Sequence, residues 1–278
     1  MLNKELLSIY RKQGFIIGPE ETEENFLKRI DICTSPFSLE YFPVSSPTLI
    51  NKDQITPLLT RNIKYQDPKY ASVLAAFSWL PIFLSNYKLP FWIGGAVWIS
   101  SKNDVVIPIL QLRKQFINSS RRNFYLPEEI CMHEALHAMR TSFEEPKFEE
   151  ILAYSTSPNF IHKWVGPLFQ ASWESTLFLI LLLVGSFGAL FFYVAMLPFF
   201  ISLVFFILRL YSRHKAMSKC VKNLKNLFPS VDPFTIIIHL TDQEILNFSK
   251  LSQKELSSYI SRQSCLRWQQ ISTIFDPE

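Results

Sequence analysis

Leu126–Arg140 reads LPEEICMHEALHAMR, and the organisation of the chain is best read outward from it. Pro127, followed by Glu128 and Glu129, marks a helix start: proline needs no amide hydrogen there, and acids suit the positive end of the helix dipole. The residues that follow are good helix formers. On that helix His133 and His137 stand four apart and share one face. Two imidazoles so placed can hold one zinc ion, and Glu134 beside them can act on a water at the metal. Zinc brings the pKa of such a water to about 7. A carboxylate can then take the water's proton and return it to a leaving amine. His133 and His137 are therefore candidate metal ligands, and Glu134 is the candidate catalytic base. Cys131 lies two residues before His133, faces away from the ligand side and is read as core.

A catalytic zinc takes three protein ligands and keeps one position open. The next acidic cluster, residues 143–155, reads FEEPKFEEILAYS. Pro146 is again a helix start. From His137 the first helix can run on to Ser142, roughly 7.5 Å, and the return from Pro146 to Glu150 covers roughly 6 Å, at 1.5 Å per residue. An antiparallel helix pair thus brings Glu149 or Glu150 level with the histidines, and the distances do not choose between them. A developing oxyanion also needs a donor. Tyr154 and His162, just behind the glutamate helix, are preferred to Arg140 and His239.

HEALH, followed by a helix carrying Glu150-Ile151-Leu152-Ala153, resembles the gluzincin class of zinc metallopeptidases over roughly residues 91 to 155. The interval between the second histidine and the glutamate is shorter here than is usual in that class. The resemblance implies a zincin-like domain with Glu150 as third zinc ligand. It also implies an edge strand above the metal that pairs with the backbone of a peptide substrate, a mode that supplies main-chain hydrogen bonds without demanding one sequence. Gly94–Ser100 is the candidate strand, with Gly95, Ala96, Val97 and Trp98 as its substrate-binding residues.

Upstream, FWIGGAVWISS from Phe91, then Lys102-Asn103-Asp104, then VVIPILQL predict a β-hairpin, two β-branched and aromatic runs around a turn. Pro108 within the second run predicts an edge strand. The apolar run Ala71–Leu84 is short and contains Pro81, which suits a buried core element. Pro19-Glu20-Glu21 predicts the start of a helix through Asn25–Ile30.

Downstream, no charged residue occurs from Ser175 to Leu208. One membrane span needs about 20 apolar residues, so a run of roughly 34 is long for one span and slightly short for two. With Trp173, Leu210 and Tyr211 at the interfaces, Gly185 and Gly188 for close packing and Pro198 near the bend, a two-helix hairpin is expected. Arg209, Arg213, Lys215 and Lys219 mark the flank as cytoplasmic, and a hairpin would put the N-terminal part on the same side. Farther on, Thr235–Leu240 reads as strand-like or buried, and Thr241-x-x-Glu244 and Ser252-x-x-Glu255 are capping boxes.

Composition narrows the function classes. The net charge is +4 with the basic residues scattered, which is not a nucleic-acid footprint. Cys33, Cys131, Cys220 and Cys265 form no CxxC pair, against a disulfide framework and against a thiolate zinc site; isolated thiols suit a reducing compartment. The N-terminus has no apolar core after a basic start and is not read as a signal peptide. Charges flanking the motif disfavour an active site inside the bilayer. The expected architecture is α+β. A zincin-like catalytic domain spans residues 1–172, a transmembrane hairpin 173–212 and a small helical tail 213–278. The expected function is zinc-dependent peptide-bond hydrolysis by an integral membrane protein with its catalytic domain in the cytoplasm. Its partners are a peptide or protein substrate and the lipid bilayer, with no nucleic acid. A catalytically inactive membrane scaffold with the same domain is the alternative.

Overall fold

The computed structural model of the chain describes residues 2–35, 38–50, 52–90, 93–102, 105–116 and 126–275. Phe91, Trp92, Asn103 and Asp104, part of the expected hairpin, lie outside the described residues. Helices α1 (Lys4–Lys12) and α2 (Glu23–Thr34) each begin at a side chain that accepts a first-turn amide, Asn3 from Leu6 and Thr22 from Asn25. The second starts after the Pro19–Glu21 signal, because Glu21 has another role. Its carboxylate accepts Arg29 Nε and an Arg29 terminal nitrogen at 2.8 Å each, and the Gly18 amide at 2.9 Å. Arg29 is fully buried, so its charge holds the acid in place.

Strand β1 (Thr48–Leu49), helices α3 (Lys52–Leu59) and α4 (Ala71–Ala76), and strands β2 (Ile82–Leu84), β3 (Gly95–Lys102) and β4 (Val105–Leu112) follow. The sheet order is β1-β2-β4-β3, with only β2 and β4 parallel. The run 71–84 is core, as its length implies: Val73, Ala76, Ile82 and Phe83 are buried. The hairpin forms in full register, Gly95 opposite Leu112 through Lys102 opposite Val105. Pro108, however, lies on an inner strand and not an edge. Leu110 donates its amide to Pro81 O on the β2 side. By alternation, the Pro108 nitrogen faces the same side two residues back. Among the described residues β2 pairs with Leu110–Leu112 alone, so no described strand lies on that side of Pro108 to miss the donor. The edge strand of the hairpin is β3.

Helix α5 (Pro127–Met139) packs on β3 and β4 and is flanked by α3, α4 and α6 (Pro146–Ser155). Cys131, Met132, Ala135, Leu136, Ala138 and Met139 are fully buried. Each large apolar side chain among them contributes about 1.5–3 kcal/mol. Ile130, His133, Glu134 and His137 are left as one partly exposed stripe at helical spacing.

Helices α7 (Phe160–Val165), α8 (Ser172–Gly188) and α9 (Leu197–Leu227) follow. The pairing of α8 and α9 is antiparallel. Glu174 meets Arg209 at 2.5 and 2.6 Å, Phe178 packs against Phe206 and Phe199, and Gly188 faces Ala195. A Cβ on Gly188 would come within 2.8 Å of the Ala195 methyl, so glycine permits this close approach. The outward faces are bare: Leu183, Phe187, Ile201 and Phe205 are each more than half exposed, an apolar surface of the kind that marks an interaction site. The stretch Val194–Leu227 is long and apolar enough to cross a membrane. At 1.5 Å per residue α8 measures roughly 25 Å, short of a bilayer core of about 30 Å.

The C-terminal region is not a separate unit. α9 continues unbroken past residue 212 and buries Cys220 and Leu224 in the same core as the N-terminal half. Helices α10 (Pro233–Ile237), α11 (Asp242–Phe248), α12 (Gln253–Ser261) and α13 (Leu266–Phe275) complete it. Both expected capping boxes are present. Residues 235–240 form helix and turn rather than strand, with 236–240 buried and Thr235 half-buried. Gln270 ties α13 to the N-terminal segment, its Oε1 accepting the Ile17 amide at 3.1 Å and its Nε2 donating to Phe15 O at 2.9 Å. A polar side chain buried this deeply is stable because both of its ends are satisfied. The chain is thus a mixed α and β structure in which one core spans both termini.

Candidate metal centre

The α5–α6 connection is short. After Met139 come a 3-10 turn at Thr141–Phe143, Glu144 in the left-handed region (φ 52°), and Glu145 at the cap of α6. This brings α6 back antiparallel, as the chain distances require. His133 Nε2 and His137 Nε2 lie 3.1 Å apart, and each is 3.6 Å from a Glu150 carboxylate oxygen. Ligands on a tetrahedral zinc at about 2.0–2.2 Å would be spaced roughly 3.3–3.6 Å. These three side chains therefore form a group that could hold a metal ion; the donor set, two imidazoles and a carboxylate, fits zinc.

Glu149, which the chain distances left level with Glu150, faces elsewhere. Its Oε1 lies 3.1 Å from His137 Nδ1, and its Oε2 accepts Arg140 Nε at 2.7 Å. A carboxylate on the far nitrogen of a ligating histidine orients the ring and selects the tautomer. Sequence reading missed this role because neighbouring helix residues point about 100° apart. Only the roll of α6, set by buried Phe148, Ile151 and Leu152, decides which acid turns inward. Glu150→Ala should lower metal affinity more than Glu149→Ala, for which about 10- to 100-fold is expected. Competition titration against a zinc chelator measures both, and the reverse order would refute the assignment.

The electrostatics follow from burial and close charges. Burial holds His133 well below an ordinary imidazole, and His137 adds to this, so His133 is neutral, as a ligand must be. Burial also opposes the charge on His137. The Glu149 hydrogen bond and the charges of Glu150, Glu149 and Glu134 outweigh it and raise His137 to about 9. Carboxylates that attract a proton there attract a divalent cation for the same reason. Burial raises the Glu134 carboxyl to about 7, with Glu150 adding to the rise and His137 and the Val97 amide opposing it.

The centre opens into a cleft of about 670 Å³. One wall is Ile93 and β3, where Gly95, Ala96, Val97 and Ile99 line it; the other includes Arg140, Thr141, Glu144–Pro146 and Tyr154. Arg113 N donates to Gly94 O, so the backbone groups of Gly95, Val97 and Ile99 face away from β4, toward the open edge. The strand approaches α5 closely: a Cβ on Gly95 would lie 3.2 Å from Glu134 Cγ. Trp98 departs from the expected set. Its side chain packs on the cluster of Phe42, Phe83 and Ile109 and donates to Gln111 Oε1, because alternate strand residues face opposite sides.

Of the expected oxyanion donors, Tyr154 is at the centre, its ring 4.4 Å from that of His133. His162 does not line the cleft. Its Nδ1 lies 2.6 Å from Glu129 Oε1, and Ser157 Oγ donates to the same carboxylate. Arg140 serves structure, donating to Ile238 O (2.7 Å) and Leu240 O (3.1 Å). His239 is buried outside the cleft, its charge opposed by burial and by Arg11, Arg267 and Arg140.

No family model, no curated protein and no solved structure matches this chain.

Proposed function

We propose that the chain is a membrane-attached zinc peptidase with a zincin-like catalytic domain. The observation that carries this is the convergence of His133, His137 and Glu150, with Glu134 beside them under the open edge of β3. Bound at these three side chains, zinc would supply Lewis-acid polarisation and an acidified water. Glu134, lining the cleft beside the histidines, accepts the proton of the attacking water. As the water oxygen adds to the peptide carbonyl and the C–N bond breaks, Glu134 delivers that proton to the departing amine. The Val97 amide on the Glu134 carboxylate holds it in place. A substrate strand lies along β3 and takes the outward backbone groups of Gly95 and Ile99. Tyr154, against His133, is the donor to the oxyanion. Glu149 and Arg140 act as positioning residues through the His137 ring.

The membrane part of the proposal is supported by the length and apolar surface of α9. The antiparallel α8 favours a hairpin that returns to the side it entered from, and the basic flank Arg209, Arg213, Lys215 and Lys219 favours the cytoplasm for that side.

Metal content decides first. Detergent-purified protein should hold about one zinc per chain, lost in His137→Ala, because two remaining ligands do not retain a catalytic zinc. Hydrolysis of a mixed peptide library should follow the metal and stop with a chelator. No zinc in either protein after incubation with it would overturn the peptidase in favour of a membrane scaffold.

A further inference from the structure

Between the metal centre and the hairpin lies α7 with the 3-10 turn Gly166–Leu168. Its outer face is used by neither the cleft nor the core. Phe160, Ile161, Trp164 and Val165 are 70%, 64%, 45% and 54% exposed, and at helical spacing they share one sector. His162 turns inward to Glu129 on one flank, and Lys163 lies on the other. The segment Phe160–Leu168 stands at 81° to Trp173–Gly188. A helix nearly perpendicular to one that follows the bilayer normal lies in the plane of the bilayer.

The surroundings agree in chemistry. Trp164 stacks on His214 at 4.6 Å, and its carbonyl lies 3.1 Å from His214 Nε2, which fixes α7 beside the basic flank of α9. Trp173 and Tyr211, both more than half exposed, flank the apolar run where interfacial aromatics belong. Lys163 shares a cavity of about 560 Å³ with Lys64, Lys69 and Asp67. Lys64 donates to Pro158 O at 2.9 Å and Lys69 pairs with Asp67 at 3.1 Å, so three cations face one acid. Burial, and then the charges of Lys69 and Lys64, hold the Lys163 ammonium below its usual value.

We propose that Phe160–Leu168 lies flat in the headgroup layer of an anionic bilayer, its apolar face toward the acyl chains and the three lysines on the lipid phosphates. An apolar face bordered by lysines is the pattern of interfacial helices. The segment is coupled to the cleft. Tyr154 packs so closely on Gly166 that a Cβ there would collide with its ring. Gln170 donates to Pro146 O and Lys147 O at the start of the ligand helix. The cleft is thereby seated at the membrane surface, and its substrates are extended segments next to the bilayer. This rests on the membrane attachment proposed above.

The test uses the full chain in phosphatidylcholine–phosphatidylglycerol vesicles. Cys265 is the exposed thiol among the four cysteines, so nitroxides are placed at Ile161→Cys and Leu183→Cys in a Cys265→Ser background. Power saturation should show oxygen favoured over a water-soluble nickel chelate at both sites, deeply at 183 and shallowly at 161. Water-like behaviour at 161 with 183 buried would overturn the interfacial helix while leaving membrane attachment intact. Water-like behaviour at both would overturn both. Lys64→Gln/Lys69→Gln/Lys163→Gln should make the 161 label shallower, and only when anionic lipid is present. Unchanged depth would overturn the contact with phosphates.

Discussion

Glu134→Gln should keep about one zinc per chain and lower kcat by about a hundred- to ten-thousand-fold, the usual contribution of a general base. The amide nearly matches the carboxylate in shape, so it preserves the fit under β3, where Gly95 leaves little room. It removes the acceptor for the water's proton and leaves the ligand atoms of His133, His137 and Glu150 in place. Zinc content by mass spectrometry and hydrolysis of a chosen peptide report the two effects separately. A variant that retains metal and cuts at the wild-type rate would sink the proposed mechanism. One that loses its metal would show that Glu134 supports the site's structure as well.

Arg140→Ala should be the most destabilising single substitution near the centre, by about 3–5 kcal/mol, the usual cost of breaking a buried ion pair from one side. The guanidinium is buried and ties three acceptors together: the Glu149 carboxylate on α6, and the carbonyls of Ile238 and Leu240 from the C-terminal region. Its loss deprives the Glu149 carboxylate, on the cleft wall, of its cation and leaves the carbonyls of buried Ile238 and Leu240 without this donor. At about 2–4 °C per kcal/mol for a chain of this size class, Tm should fall by about 6–20 °C. Arg140→Lys should restore only part of this, since an ammonium lacks the planar fork that reaches three oxygens at once. A loss below about 1 kcal/mol would mean that the C-terminal region docks without this residue.

The motif helix was legible because all its signals are local. The proline start, the four-residue spacing of His133 and His137 and the burial stripe all lie within one helix. The capping boxes at Thr241 and Ser252, the β3–β4 hairpin and the apolar run of α8 and α9 were legible for the same reason. Pro108 misled because the rule for proline concerns one missing donor, while strand order depends on β2, which comes from upstream and begins only opposite Leu110, past that point. Chain distances alone left Glu149 and Glu150 level, and only the family resemblance pointed to Glu150, because the roll of α6 is set by the side chains beneath it and Arg140 claims one of the two acids.

The tail was read as a separate piece because nothing in its own sequence names its partners. Arg140 to Ile238, Ile17 to Gln270 and Arg11 to Thr273 are contacts across about a hundred residues or more. What local sequence carried was the motif helix and its return helix, the two capped helices after Thr241 and Ser252, the hairpin, the apolar run and the HExxH residues His133, Glu134 and His137, since each follows from periodicity and capping within a few turns. Tertiary structure alone decided which glutamate joins the histidines, which strand lies open at the edge and that both ends of the chain close one core. Those outcomes depend on burying apolar surface and satisfying buried charges between segments that meet only once the chain has folded.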